Sequence, residues 1–135
     1  MTSLLHPSAW LRRVLFADAA VSFVTGLVMA LGASALAPLT GLPAALLVPA
    51  GLALLPYAAL LVWLATRAAV PAPALWLPIA LNLLWALDCA WIAFGGVFLP
   101  SAPGLAFIAV QAFAVLVFAE LEFAGLRRAS RAATA

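Results

Sequence analysis

Asn82-Leu83-Leu84-Trp85-Ala86-Leu87-Asp88-Cys89-Ala90-Trp91 places an amide and a carboxylic acid inside a run that is otherwise apolar from Leu75 to Leu99. A membrane-spanning helix takes about 20 apolar residues, and this run is long enough. A carboxylate at the centre of such a helix costs about 2.5–3.5 kcal/mol on insertion scales, so it is expected to face protein or trapped water. The rest of the chain must then supply a polar interior.

Working outward, the whole chain has the same character. Of its 135 residues, 69% are hydrophobic and 7% charged, a composition far from that of soluble domains. Four apolar runs, at about 14–36, 44–66, 74–98 and 104–126, take up most of it and leave little for soluble structure. The expectation is an all-α fold of one membrane domain over residues 1–135, with four transmembrane helices in an antiparallel bundle.

The charges orient that bundle. Every basic residue is an arginine, and Arg12, Arg13, Arg67, Arg127, Arg128 and Arg131 fall before the first run, between the second and third, or after the fourth. The connections Ala37–Pro43 and Pro100–Pro103 carry none. By the positive-inside rule both termini and the middle loop are expected in the cytoplasm (N-in/C-in), as in a multi-pass protein of a bacterial inner membrane. Separated arginines beside membrane spans point to lipid headgroups, each contact worth about 1 kcal/mol, and not to nucleic acid. Ala33-Ser34-Ala35 resembles a signal-peptidase site. However, the preceding run exceeds a signal's ~7–15-residue apolar core and the remainder is itself membrane-embedded, so cleavage is not expected.

Polar residues inside the runs mark candidate ligand- or proton-binding positions. In the first, Asp18, Ser22, Thr25, Gly26 and Met29 recur at steps of three and four and share one helical face. That face is small enough for close helix approach. Asp18 is the exception, and pairing with one of the nearby arginines would explain it. The second run has Pro49 and Pro56 but no ionisable group except Tyr57. Missing donors at the two prolines suggest a kink. In the third run Asn82 and Asp88 lie about 120° apart in azimuth, with Trp85 and Trp91 bracketing the acid as candidate hydrogen-bond donors to it. In the fourth, Gln111 and Glu122 share a face, whereas Glu120 lies on the other side with Arg127.

Two levels follow from these depths. Asp18 and Glu122 are expected near the arginine end, with Asp88 and Gln111 farther out and Asn82 between the levels. Glu120 and Arg127 are expected to pair at the interface, with Arg12, Arg13 and Arg128 as further ion-pair or lipid-facing candidates.

The inventory excludes much chemistry. A di-metal carboxylate bundle adds Glu-x-x-His pairs, whereas the only histidine, His6, lies outside the runs, so no metal site is expected. The runs hold no histidine to serve as the base of a nucleophilic triad or as a haem ligand, and there is no glycine-rich phosphate loop, so neither catalytic residues nor cofactors are expected. Cys89 is the sole cysteine, which rules out an internal disulfide.

Leu36-Ala37-Pro38-Leu39-Thr40-Gly41-Leu42-Pro43, Asn82-Leu83-Leu84-Trp85 and Phe118-Ala119-Glu120-Leu121-Glu122 give the chain a resemblance to a class of small four-span bacterial membrane proteins to which no activity is attached. It departs from the small multidrug-resistance transporters, whose key glutamate is central in the first span, whereas here Asp18 lies near the start of that span. A lysine-free, alanine-rich composition suits a GC-rich bacterium. The expected function is that of a non-enzymatic membrane protein whose polar seam locks helix packing or recruits a lipid or partner protein. The alternative is a proton-coupled transporter or pore, working as an oligomer through Asp88, Glu122 and Asp18. Expected partners are the lipid bilayer and a second copy or another membrane protein.

Overall fold

A computed structural model describes residues 3–135, and it is all-helical apart from one short strand pair. Helices α1 (Ala9–Leu31), α2 (Ala33–Thr40), α3 (Ala44–Thr66), α4 (Ala72–Phe94) and α5 (Ala102–Thr134) follow in order. All but the eight-residue α2 are long and apolar enough to cross a membrane. At 1.5 Å per residue the 23-residue helices reach about 34 Å, slightly more than a hydrocarbon core. Outward-facing Phe16, Phe23, Leu52, Leu87, Phe94 and Phe113 are all exposed, as a lipid-facing surface requires.

Local signals account for the helix limits. Ser8 and Ser101 cap α1 and α5, their hydroxyl oxygens accepting from Leu11 N–H at 3.1 Å and Gly104 N–H at 3.2 Å. The first long helix starts earlier than the hydropathy suggested and stops at Leu31, not Leu36. Gly32 breaks it, and most of the expected outer turn is the separate helix α2, closed by Gly41 in the left-handed region at φ +72°. Helix α3 continues through both Pro49 and Pro56, since in an apolar medium the remaining backbone bonds hold it.

The long helices pack in two pairs. α1 lies against α3 along much of its length and α4 against α5, whereas α3 and α4 touch at few points. The first pair is drawn together at Gly26 and Gly51. A Cβ on either glycine would stand 2.7 Å from the other's carbonyl oxygen, so only hydrogen fits there. This is where the small face of the first apolar run finds its partner.

At one end of the molecule the arginines gather. β1 (Leu4–Leu5) pairs antiparallel with β2 (Val70–Pro71), laying the N-terminal segment across the connection between α3 and α4. Arg12 fixes this arrangement by donating to the carbonyls of Pro7, Ala65 and Arg67 at 3.2, 2.8 and 2.8 Å. The last two belong to the end of α3, where carbonyls lack helical partners, so Arg12 caps a neighbouring helix. At the opposite end Ser101 donates its hydroxyl to Leu39 C=O at 2.6 Å and its N–H to Thr40 C=O at 2.9 Å, joining α2 to the start of α5.

Two apolar layers fill the interior. One, containing Leu11, Leu15, Leu61, Leu64, Leu75 and Leu126, lies toward the arginines. Another, with Met29, Leu47, Leu54, Cys89 and Ile108, lies toward α2. Tyr57 borders both. A polar layer separates them.

Candidate functional site

Every long helix contributes to the polar layer, α1 with two residues and the others with one each. Asp18 and Ser22 project from α1, Tyr57 from α3, Asn82 from α4 and Glu122 from α5. Periodicity explains why each faces inward. Asp18 and Ser22 are one turn apart on the helix face that also carries buried Leu11, Leu15 and Met29, and Glu122 shares a stripe with Ala119, Leu126 and Ala129. Counting from the ends that meet at the arginines, Asp18, Tyr57 and Asn82 are each about 14 Å deep along their helices.

The geometry centres on Asp18. Its Oδ2 accepts from Tyr57 O–H at 2.8 Å and from Asn82 Nδ2 at 3.0 Å, while Oδ1 accepts from Ser22 O–H at 3.1 Å. The same Asn82 nitrogen donates to Glu122 Oε2 at 3.1 Å. One amide therefore bridges two carboxylates on different helices. Asp18 and Glu122 are 1% and 2% exposed, and Glu122 Oε1 is buried with no hydrogen-bond partner. Asp18 has three donors. Glu122 has one.

No arginine reaches either acid among the described residues. The expected pairing of Asp18 with a nearby arginine is therefore not what forms: Arg12 is committed to backbone carbonyls, and Arg13 points outward. The expected Glu120–Arg127 ion pair is also absent, because the Arg127 guanidinium turns over the Phe123 ring at 5.6 Å and Glu120 is exposed. Arg128 stacks on Trp10 at 4.8 Å and Arg67 on Trp63 at 5.1 Å. Flat, weakly hydrated guanidinium groups favour aromatic faces at such an interface.

The outer level also differs from expectation. Asp88 does not face the bundle interior and does not accept from Trp85. Trp85 Nε1–H donates instead to Gln111 Oε1 at 3.1 Å, pinning α4 to α5, while Asp88 is exposed on the α3-facing edge of α4. The azimuth that separates Asn82 from Asp88 accounts for this, since only one of them can turn into the centre. Asn82 joins the acids nearer the arginines and leaves Asp88 outside their network.

Tyr57 and Ser22 complete the site, and sequence reasoning did not single either out as a site residue. For Tyr57 a signal existed: it is the only tyrosine, set mid-run in an otherwise apolar helix, and a buried phenol O–H needs an acceptor. Ser22 looked like a small packing residue, and only its distance from Asp18 distinguishes it.

Small cavities adjoin this layer. One of about 90 Å³ is lined by Asp18, Ser22, Thr25 and Gln111, and a second of about 160 Å³ by Tyr57, Asn82, Trp85 and Asp88. A third, of about 270 Å³, continues toward α2 past Trp85, Asp88 and Gln111. Among the described residues no group of three or more His, Cys, Asp or Glu side chains is placed to hold a metal ion.

Comparison with family models, with curated proteins and with solved structures returns no match for this chain.

Proposed function

We propose that this is a non-enzymatic, multi-pass protein of a bacterial inner membrane, built as an antiparallel four-helix bundle with cytoplasmic termini, whose Asp18–Glu122 pair takes up and releases a proton within the bilayer. Four apolar helices support the membrane setting, and the gathering of all six arginines at three chain segments supports the orientation. The observation that carries the proton site is the Asn82 amide that bridges two buried carboxylates with no cation beside them.

The physics is a charge count. Both acceptor oxygens are held by one nitrogen, so they lie within about 6 Å of each other, where two negative charges at an effective dielectric of about 20 repel by about 3 kcal/mol. A single proton on the pair removes that repulsion. Asp18 already accepts from three donors, whereas Glu122 has a buried oxygen with no partner, which leaves an open position for that proton on Glu122. The adjoining cavities reach the pair from the Asp18 side, one lined by Asp18 itself and the other by its donors Tyr57 and Asn82.

Infrared spectroscopy of the purified protein during a pH titration tests this. A protonated-carboxyl band should titrate in the wild type, vanish in Glu122→Gln and persist in Asp88→Asn. If the band is missing, or survives in Glu122→Gln with the fold intact, the proton site does not exist.

A second reading has its own support. Because Asp18, Tyr57, Asn82 and Glu122 each come from a different long helix, the network is also suited to fixing the mutual register of all four. Under that reading Asp18→Asn with Glu122→Gln, which keeps hydrogen bonding and deletes charge, would leave stability and any proton flux in proteoliposomes unchanged.

A further inference from the structure

Beyond the buried pair, two acids, Asp88 and Glu120, have no polar partner among the described residues, and of the two it is Asp88 that borders the cavities described above. Asp88 lies six residues from the end of α4, about 9 Å along the helix axis and therefore below headgroup level, yet it makes no hydrogen bond or ion pair among the described residues. An uncompensated carboxylate at that depth is expensive. It borders both the 270 Å³ and the 160 Å³ cavities, which lie in series along the side where α3 and α4 barely touch.

The walls define what could compensate it. Trp85 lines both cavities, and Trp91 and Phe107 line the larger one, together with apolar Leu46 and Leu47. No arginine lines either cavity. Gln111 is also present, but its amide oxygen already accepts from Trp85.

We propose that this groove binds a free lipophilic organic cation, with an aromatic or alkyl body and a quaternary or protonated amine, from the membrane side between α3 and α4. Asp88 neutralises the charge, and the indole faces of Trp85 and Trp91 take the cationic centre and its body. A hard metal ion is a poor occupant, because one carboxylate among apolar walls cannot replace its hydration shell. An anion would be repelled and a neutral molecule would leave Asp88 uncompensated. Asp88 takes no part in the Asn82 network, so the assignment does not rest on proton exchange by Asp18 and Glu122.

The test uses the full chain in phosphatidylglycerol nanodiscs, titrated calorimetrically with benzyltrimethylammonium against empty nanodiscs. The expected result is saturable binding at one site per chain, weakened at least tenfold by Asp88→Asn and not displaced by neopentylbenzene, the uncharged isostere. Ala50→Phe, which fills the larger cavity and leaves the charge in place, should weaken binding as well, and it decides the matter should Asp88→Asn fail to fold. Absence of saturable binding, equal binding by a folded Asp88→Asn, or displacement by neopentylbenzene overturns the proposal. Loss of binding in phosphatidylethanolamine nanodiscs would make a lipid amine headgroup the occupant, and would overturn the assignment to a free cation.

Discussion

Helix α3 has two sides that could hardly differ more. Against α1 it presents Gly51 to Gly26, with backbones so close that neither position accepts a Cβ. Toward α4 it presents Ala53, Leu54 and Tyr57 to a groove in which cavities remain. On the α1 side the open space, a groove of about 570 Å³ beside Phe16, Phe23, Ala58 and Val62, lies away from the glycine contact. Both seams are built from small and apolar residues. The difference is that glycine facing glycine lets dispersion and close packing draw two helices together in lipid, where no hydrophobic force acts between them. Across the open seam Trp85 is too large for such approach, and the helices are joined there by hydrogen bonds through Asp18, with Tyr57 and Asn82 donating from either side.

That contrast can be broken most severely at Gly51. Gly51→Leu should cost about 3 kcal/mol or more, because the new side chain meets the Gly26 carbonyl and Ala30 N–H, leaving nowhere to relax. Thermal unfolding in detergent would show a collapse of the transition, and an unchanged midpoint would refute the close-packed seam. Next comes Asn82→Leu, which removes both bridging bonds and leaves two carboxylates facing an apolar side chain. A loss of about 2–4 kcal/mol is expected by the same measurement. Recovery of most of that loss when Glu122→Gln is added would show that the uncompensated charge, and not the missing amide, dominates.

Smaller effects sharpen the comparison from the open side. Tyr57→Phe deletes a single bond to Asp18 and should cost about 1 kcal/mol, well below Gly51→Leu although the residues share a helix. Gln111→Leu breaks the bond to Trp85 and should cost about 0.6 kcal/mol, while tryptophan fluorescence reports a changed environment for that indole. Smallest of all is Asp88→Asn. With no protein partner to lose among the described residues, its unfolding midpoint should stay within about 0.5 kcal/mol of wild type, and a larger loss would mean that Asp88 has a structural partner after all.

The common level of Asp18 and Glu122 was legible from their distance to the arginines, because rise per residue is constant, whereas Asn82, expected between two levels, joins both acids at theirs. Which groups would touch was not legible. Asn82 and Asp88 are about 120° apart on one helix, and hydropathy does not say which of them turns inward, because either orientation exposes apolar neighbours to lipid at similar cost. Arg12 was misread for a related reason. A guanidinium beside an acid in sequence looks like a salt bridge, yet the unpaired carbonyls of a neighbouring helix end compete for it, and those are visible only after α1 and α3 have packed.

Sequence alone determined that four apolar segments fold as helices long enough to cross a membrane, because backbone groups in hydrocarbon must be satisfied within each segment and composition and length suffice to identify where that happens. It also determined that acids would have to be accommodated inside. The tertiary structure decided the partners, through a glycine contact that closes one seam, an asparagine that gathers two carboxylates, and a tryptophan that takes the glutamine and leaves Asp88 facing a groove. Lateral packing in a bilayer rests on shape complementarity and individual hydrogen bonds, and those are properties of paired surfaces that no single helix carries.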